Sequence, residues 1–232
     1  MNWTLEQFAQ AFRLLTTLDR EVLGIVVLSL GLASLSTVLA IAAGFPLGLV
    51  IGLGAFRGKG LLTTVLHTLM ALPTVLIGIL LYTLLSSRGL LGDWRFLYTR
   101  TAIVLGQFLL ILPLVTALAH AATEGVDRRV RLTAQTLGAG RWRTLASVLS
   151  EGRGAFLAAA VAGFGRVFGE VGIAMMLGGN IRGYTRTVST AIALQTAKGE
   201  VPLGIALGLV LMAVALLVNL VLSWLRRKPA QA

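Results

Sequence analysis

Long apolar runs separated by short polar segments dominate the chain. A run of about 20 apolar residues can cross the hydrocarbon core of a bilayer as an α-helix, because a helix satisfies its own backbone hydrogen bonds there. The pattern therefore predicts an all-α integral membrane protein with about five transmembrane helices. The predicted spans are residues 22–54, 61–87, 101–123, 155–181 and 202–224.

Prolines lie inside the first three predicted spans. The first span is longer than one crossing requires, and Pro46 marks a position where it could bend. Pro73 and Pro113 lie inside the second and third spans, where neighbouring helices can satisfy the carbonyls that proline leaves without a partner. We therefore expect these two spans to tolerate their prolines.

The N-terminus precedes the first apolar run and differs from a cleavable signal peptide, because charged residues interrupt it. Leu5, Phe8, Phe12 and Leu15 recur at helical spacing, which indicates a short amphipathic helix on the membrane surface. The expected divisions of the chain are this helix at residues 1–20, one transmembrane domain at residues 21–226 with a loop at about 124–153, and a tail at residues 227–232.

Composition agrees with a membrane protein, since 56% of the residues are hydrophobic, 12% are charged and the mean hydropathy is +0.88. The net charge of +11 could indicate nucleic-acid binding, but the basic residues lie beside the apolar runs, which favours a membrane protein. The absence of cysteine excludes disulfides and thiolate metal sites. His67 and His120 lie near predicted span ends and are expected to be structural or interfacial.

The basic residues outside the spans predict the orientation of the chain. Eleven of them follow spans one and five or lie between spans three and four, whereas eight lie on the opposite side. Because cytoplasmic loops are enriched in lysine and arginine, the side with eleven is assigned to the cytoplasm. The N-terminus is then outside, and the C-terminus and the loop at about 124–153 are cytoplasmic.

The stretch TAQTLGAGRWRTL, residues 133–145, gives this loop a helix-glycine-helix pattern. Residues 130–137 favour a helix, residues 138–140 permit a sharp turn, and an amphipathic pattern resumes over residues 141–149. The residues alone allow two interpretations. The loop either only enforces topology through its basic charge, or forms a small folded unit that presses into a groove on another protein.

This run resembles the EAA cytoplasmic loop of binding-protein-dependent ABC importer permeases. Ala134 matches the second alanine of the family pattern and Gly138 its glycine, whereas Leu132 and Thr133 replace the glutamate and the first alanine. Residues 150–151 are Ser-Glu where Leu-Pro is common in the family. The resemblance implies a coupling helix that inserts into a cytoplasmic ABC ATPase subunit. The residues implied in that contact are Leu132, Thr133, Ala134, Leu137, Gly138, Ala139, Gly140, Arg141 and Trp142.

A phosphate-binding loop for ATP is not expected in the chain itself. The nearest approach, GAFRGKG at residues 54–60, has one residue too few before its Gly-Lys and lacks the following Ser or Thr. We therefore expect a non-catalytic subunit that binds no cofactor. Energy would come from hydrolysis of ATP, which would bind together with Mg on a separate ATPase subunit, or from an ion gradient.

Arg166 and Glu170 are charged residues near the middle of the predicted fourth span. Being four residues apart, they share one helix face and could form an ion pair. Charges at that depth are costly unless they are paired or face a water-filled path. The pair, together with Asn180 at the end of the span, could therefore line a translocation pathway or lock the helix to a neighbour.

A polar segment follows the fourth span on the outside. Hydroxyl and guanidinium groups are suitable donors to an oxyanion, and basic groups could equally dock an acidic partner surface. The candidate residues for an anion path or binding-protein docking are Arg182, Thr185, Arg186 and Thr187.

R-x-x-G-E in the fourth span and the following GGNIRGYTRTVSTAI resemble the permeases of molybdate, tungstate and sulfate importers, and IALQTAKGE is most similar to the tungstate branch. The resemblance implies a type I ABC importer permease fold in a prokaryotic cytoplasmic membrane, a homodimer with the pathway between its copies, two ATPase subunits and an extracytoplasmic binding protein that supplies selectivity. Tungstate is the expected substrate, with molybdate or sulfate as the alternative. Transport would proceed by alternating access.

Two hypotheses from other classes were weighed against this resemblance. A channel or gradient-driven transporter would need a coupling-ion site, but only Arg166 and Glu170 are charged within the spans, and no inverted repeat is evident. A structural membrane scaffold would use the same two residues for packing alone.

Overall fold

The computed structural model describes residues 6, 9, 13 and 20–226 of the chain. Most of the predicted amphipathic helix at residues 1–20, and the tail at residues 227–232, lie outside the described residues. The described part is built from α-helices with one short 3-10 turn at Gly92–Trp94. The helices are α1 (Arg20–Leu53), α2 (Lys59–Met70), α3 (Thr74–Leu85), α4 (Arg100–Glu124), α5 (Arg128–Thr136), α6 (Arg141–Glu151), α7 (Arg153–Phe168), α8 (Gly172–Gly178), α9 (Val188–Lys198) and α10 (Val201–Arg226).

Three helices, α1, α4 and α10, are each long and apolar enough to cross a membrane. Two further candidates are bent pairs: α2 and α3 meet at 91°, and α6 and α7 meet at 76°. Counting each bent pair as one span gives up to five crossings within the described residues. The predicted all-α membrane architecture is confirmed.

The second and fourth predicted spans differ in detail from single helices. Pro73 has an extended backbone and begins α3, so the second span is divided between α2 and α3. The fourth span is interrupted between α7 and α8, and Glu170 lies in the break. Pro46 and Pro113, in contrast, lie inside the uninterrupted helices α1 and α4. The expected tolerance of proline therefore holds in α4 and fails in the second span.

The core of the fold is the contact between α1 and α4, and glycine makes it close. Gly44, Gly48 and Gly52 recur every fourth residue along one face of α1. A Cβ atom added at Gly48 would lie 2.6 Å from the Ala119 Cβ and 2.7 Å from the Thr116 carbonyl oxygen. Small residues at this spacing allow membrane helices to approach backbone to backbone. The C-terminal half of α1 is therefore packed tightly against α4.

The chain turns back after α8 and places polar residues against α1. The Thr185 hydroxyl donates to the Gly178 carbonyl at 2.5 Å, and the Val188 backbone N–H donates to the Ser29 hydroxyl at 2.8 Å. Thr187 caps α9 through a reciprocal hydrogen-bond pair with Thr190. Helix α9, which the sequence patterns did not predict, then packs against α1 and α10. Residues expected on an outer loop are thus partly inside the fold.

Candidate coupling and translocation sites

The loop predicted to be cytoplasmic folds as a helix, a glycine turn and a second helix. The Asp127 carboxylate accepts from the Arg129 N–H at 2.8 Å and so begins α5, because the first amides of a helix lack partners within it. Gly138 has φ +75°, a left-handed conformation that glycine adopts without a Cβ penalty. Helix α6 then starts at Arg141. The predicted helix-glycine-helix pattern at residues 130–149 is present. We call residues 128–151 the knob.

The knob carries apolar side chains that the rest of the described chain leaves uncovered. Leu137 is 81% exposed and Trp142 is 85% exposed, and Leu132 is also exposed. Thr133 and Gly138 are exposed as well, whereas Ala134 is half-buried. Exposed apolar clusters of this kind mark surfaces for another protein. The predicted coupling residues therefore gather at one solvent-facing tip, with Ala139, Gly140 and the start of α6 at Arg141 forming the turn.

Two basic residues that sequence reasoning missed bind helix ends beside the knob, and one of them, Arg131, belongs to the knob itself. The Arg131 guanidinium donates to the Leu53 carbonyl at the end of α1, at 3.1 Å. Lys59 donates to the Gly52 carbonyl at 3.3 Å and pairs with Glu124 at 3.0 Å. Cations at a helix C-terminus bind its unpaired carbonyls and oppose its dipole. Lys59 and Arg131 each follow the end of a predicted span, and this position was the signal in the sequence that could have identified them.

The histidines differ in their surroundings. His120 Nε2 lies 3.3 Å from the same Glu124 carboxylate, in the last turns of α4. His67 lies exposed on α2. Among the described residues, no group of three or more His, Cys, Asp and Glu side chains could hold a metal ion.

The predicted ion pair forms at the break between α7 and α8. Arg166 Nη1 lies 3.3 Å from Glu170 Oε2, and the other carboxylate oxygen accepts from the Ile173 N–H at 3.1 Å. Glu170 therefore compensates the break by binding both helices, although it lies beyond the end of α7. The Glu170 side chain is 4% exposed, whereas that of Arg166 is 43% exposed.

Hydroxyl groups surround the buried side of this break. The Ser189 hydroxyl donates to the Glu170 backbone carbonyl at 2.6 Å and lies 3.1 Å from the Thr187 hydroxyl. The side-chain amide of Asn180, a residue with φ +51°, donates to the Thr190 carbonyl at 3.4 Å. The hydroxyl groups bond to the chain itself, which is how a low-dielectric interior accommodates them, whereas Asn180 Oδ1 is buried without a hydrogen-bond partner in the described part of the chain. Thr185 and Thr187 belong to this interior rather than to an outer surface.

The two predicted outer arginines share one carboxylate. Arg182 binds Glu21 through two nitrogen atoms, and Arg186 Nη1 lies 3.3 Å from the same carboxylate. Glu21 lies in the first turn of α1, 161 positions before Arg182, so no local pattern in the sequence could identify it. The outer arginines are therefore engaged with α1 in this structure.

Comparison with known proteins adds three findings. The model of the family described as binding-protein-dependent transport system inner membrane component matches residues 44–231. The tungstate uptake system permease protein TupB of Peptoclostridium acidaminophilum is 36% identical over 228 residues, which cover 98% of this chain and 100% of that protein. The molybdenum transport system permease protein ModB of Escherichia coli K12 is 34% identical over 213 residues, 87% of this chain and 92% of that protein.

A solved structure shares the fold. The crystal structure of a bacterial ABC transporter involved in the import of the acidic polysaccharide alginate contains a chain that matches with a TM-score of 0.77 and 19% sequence identity. The match covers 97% of this chain and 84% of that one. At this level of identity the similarity concerns the fold alone.

Proposed function

The chain belongs to the family of binding-protein-dependent transport system inner membrane components, and we propose that it is the permease subunit of an ATP-driven importer for tungstate. It is a multi-pass protein of the cell membrane with the fold of an ABC importer permease. The similarity to a tungstate uptake permease along nearly the whole length of both chains carries the substrate assignment.

The knob is the proposed contact with the cytoplasmic ATPase. Leu137 and Trp142 protrude from a short glycine turn, a shape that fits a groove on another protein. In this proposal the permease is a homodimer, each copy engages one ATPase subunit, and ATP and Mg bind the ATPases. The permease subunit itself catalyses no reaction and binds no cofactor.

Arg166 is the proposed contact with the anion in transit. A half-exposed guanidinium at the depth of a broken span is costly against lipid, so we assign its exposed side to a water-filled path between two copies. Glu170 fixes one side of the guanidinium, and the remaining N–H groups suit an acceptor-only dianion. Because the ion pair is neutral overall, the attraction stays weak enough for release.

The outer surface is the proposed docking side for the binding protein. The N-terminus lies outside and the C-terminus inside, as the distribution of basic residues favours. Loaded binding protein would dock near Arg182 and Arg186, and ATP-driven closure would exchange inward-open and outward-open states. Asn180, Thr185 and Thr187 would support the segment that forms this face.

Molybdate is the second candidate substrate, since a molybdenum permease is also similar over most of the chain. Both ions are tetrahedral dianions, so a single permease contact separates them poorly. Selectivity is therefore assigned to the binding protein rather than to Arg166.

The test is reconstitution in liposomes with the ATPase and the binding protein, measuring ATP hydrolysis and anion uptake with tungstate, molybdate and sulfate in turn. We expect stimulation of hydrolysis and uptake by tungstate-loaded binding protein. Stimulation by molybdate or sulfate alone would reassign the substrate. Uptake that follows an ion gradient and ignores ATP would overturn the importer mechanism.

A further inference from the structure

Helix α1 connects the knob with the outer polar segment. It runs without interruption from Arg20 to Leu53. Glu21 and Leu53 are 32 residues apart, so the contacts at its two ends are separated by about 48 Å. A continuous helix of this length can carry a displacement from one side of the membrane to the other.

The inner end of α1 is joined to the knob by Arg131. Helix α5 is connected covalently to α4 through residues 125–127. The Arg131 guanidinium attaches α5 to α1 by donating to the Leu53 carbonyl at 3.1 Å. On α6, Val148 is buried in one apolar cluster with Leu49 of α1, so both helices of the knob are held against α1.

The body of α1 does not slide against its neighbour. The glycine face described above brings α1 into backbone contact with α4, and an added Cβ at Gly52 would lie 2.7 Å from Thr123. Interlocked packing of this kind moves as one unit, because packed interfaces shift between discrete arrangements rather than deform continuously. A displacement applied at Leu53 is therefore delivered to the other end of α1.

Two positions near the outer end of α1 bind the polar segment that contains Arg182 and Arg186. Glu21 binds Arg182 and Arg186, and Ser29, two turns further along α1, accepts from the Val188 N–H. The first contact is charge-assisted and the second involves the first residue of α9. The outer segment therefore follows α1 rather than α8 alone.

We propose that Arg131 and Glu21 are positioning residues at the two ends of one linkage through α1, which transmits movement of the knob to the outer segment. This inference rests on the proposed function, since it concerns how an ATPase on the inside acts on the outer face. Neither residue touches the anion or the ATP. Each acts by holding another element, and each is expected to affect coupling more than binding.

The test is a double-mutant cycle in the reconstituted complex, with tungstate uptake per ATP hydrolysed as the readout. The variants are Arg131→Ala, Glu21→Gln and the combination of both. We expect each single change to lower the ratio about fivefold. Because sites this far apart add when they are independent, a local structural role for each residue gives about 25-fold in the double variant. A shared linkage gives about fivefold again.

Controls keep the outcomes distinct. Arg57→Ala removes an exposed charge beside the inner end of α1 but outside the knob, and Asp93→Asn removes one from the outer side, so both should keep the wild-type ratio. Arg131→Lys, which retains the charge and a donor, should recover most of the ratio. If Arg131→Ala does not reach the membrane, Arg131→Met replaces it in the cycle, because methionine keeps the length of the side chain without its donor.

A 25-fold loss in the double variant, or unchanged ratios in both single variants, overturns the linkage while leaving the importer intact. Failure of the proposed function looks different. In that case the wild-type complex itself shows no stimulation by tungstate-loaded binding protein.

Discussion

The knob and the helix break at Glu170 differ in which side chains they expose and which they bury. The knob turns apolar side chains outward, so Leu137 and Trp142 lie in solvent. The break turns polar side chains inward, where Glu170 and Ser189 bond to the chain. The knob therefore leaves apolar surface uncovered, whereas the buried groups at the break, Glu170 and Ser189, are bound within one chain. Changes in the knob should alter association, and changes at the break should alter stability.

The largest expected effect is at the break. Arg166→Ala leaves the buried Glu170 carboxylate without its cation and should lower the free energy of unfolding by about 3 kcal/mol. The double variant Arg166→Met/Glu170→Leu should lose only about 1 kcal/mol, mainly the hydrogen bond to Ile173. Unfolding of the purified permease by heat in detergent measures both. Arg153→Ala, at an exposed arginine on the same helix, is the control, and equal stability of the single and double variants would contradict a buried pair.

A change of the knob surface should be nearly as large but should appear in association. Trp142→Ala removes the most exposed aromatic side chain of the knob and should weaken binding of the ATPase subunit by about 2 kcal/mol, or roughly 30-fold. Binding of purified ATPase to permease in lipid nanodiscs gives the affinity. Trp94→Ala, at an exposed tryptophan outside the knob, should leave it unchanged. Unfolding together with loss of binding would mean that Trp142 is structural.

Backbone strain at the turn should have an intermediate effect. Gly138→Val forces a β-branched residue to φ +75° and should cost about 1–2 kcal/mol within the knob. Uptake should fall while the amount of protein in the membrane stays constant. Gly140→Ala is the matched control, because Gly140 has φ −67° and open space around its missing Cβ. Normal uptake by Gly138→Val would remove this turn from the coupling mechanism.

The smallest expected effect compares two serines. Ser189→Ala removes a buried hydrogen bond to the Glu170 carbonyl and should cost about 1 kcal/mol of stability. Ser147→Ala, in the knob, removes an exposed bond to the Arg143 carbonyl and should change stability by less than about 0.5 kcal/mol. Thermal unfolding of both variants under the same conditions tests the difference. Similar losses would mean that the two regions are held together in the same way.

The sequence was sufficient for the parts of the fold that depend on local composition. The long apolar runs predicted the spans, and the glycine-centred pattern predicted the knob. It was insufficient where packing decides, since a new helix begins at Pro73 while Pro46 and Pro113 are carried within longer helices. Both sides of such a break are apolar, so hydropathy cannot reveal it.

The candidate sites divide in the same way. Arg166 and Glu170 are four residues apart, so helical spacing was enough to predict their contact. Helix α9 had a usable signal that was passed over, because Thr187 and Thr190 have the spacing of a capping pair and Gly199 ends the helix. The contact of Glu21 with Arg182 spans 161 positions and depends entirely on tertiary structure.

Because α2 and α3 meet at nearly a right angle, the free energy of this part of the protein depends on the lipid around it. Helix α3 has 12 residues and is about 18 Å long, whereas the apolar interior of a typical bilayer is about 30 Å thick. Helix α2 is turned 91° away and exposes Leu61 and Val65 along its length. The lipid beside this half-span must become thinner or cover α2 sideways, at a cost that grows with acyl-chain length. The free energy of this bent pair is therefore expected to depend on the thickness of the membrane.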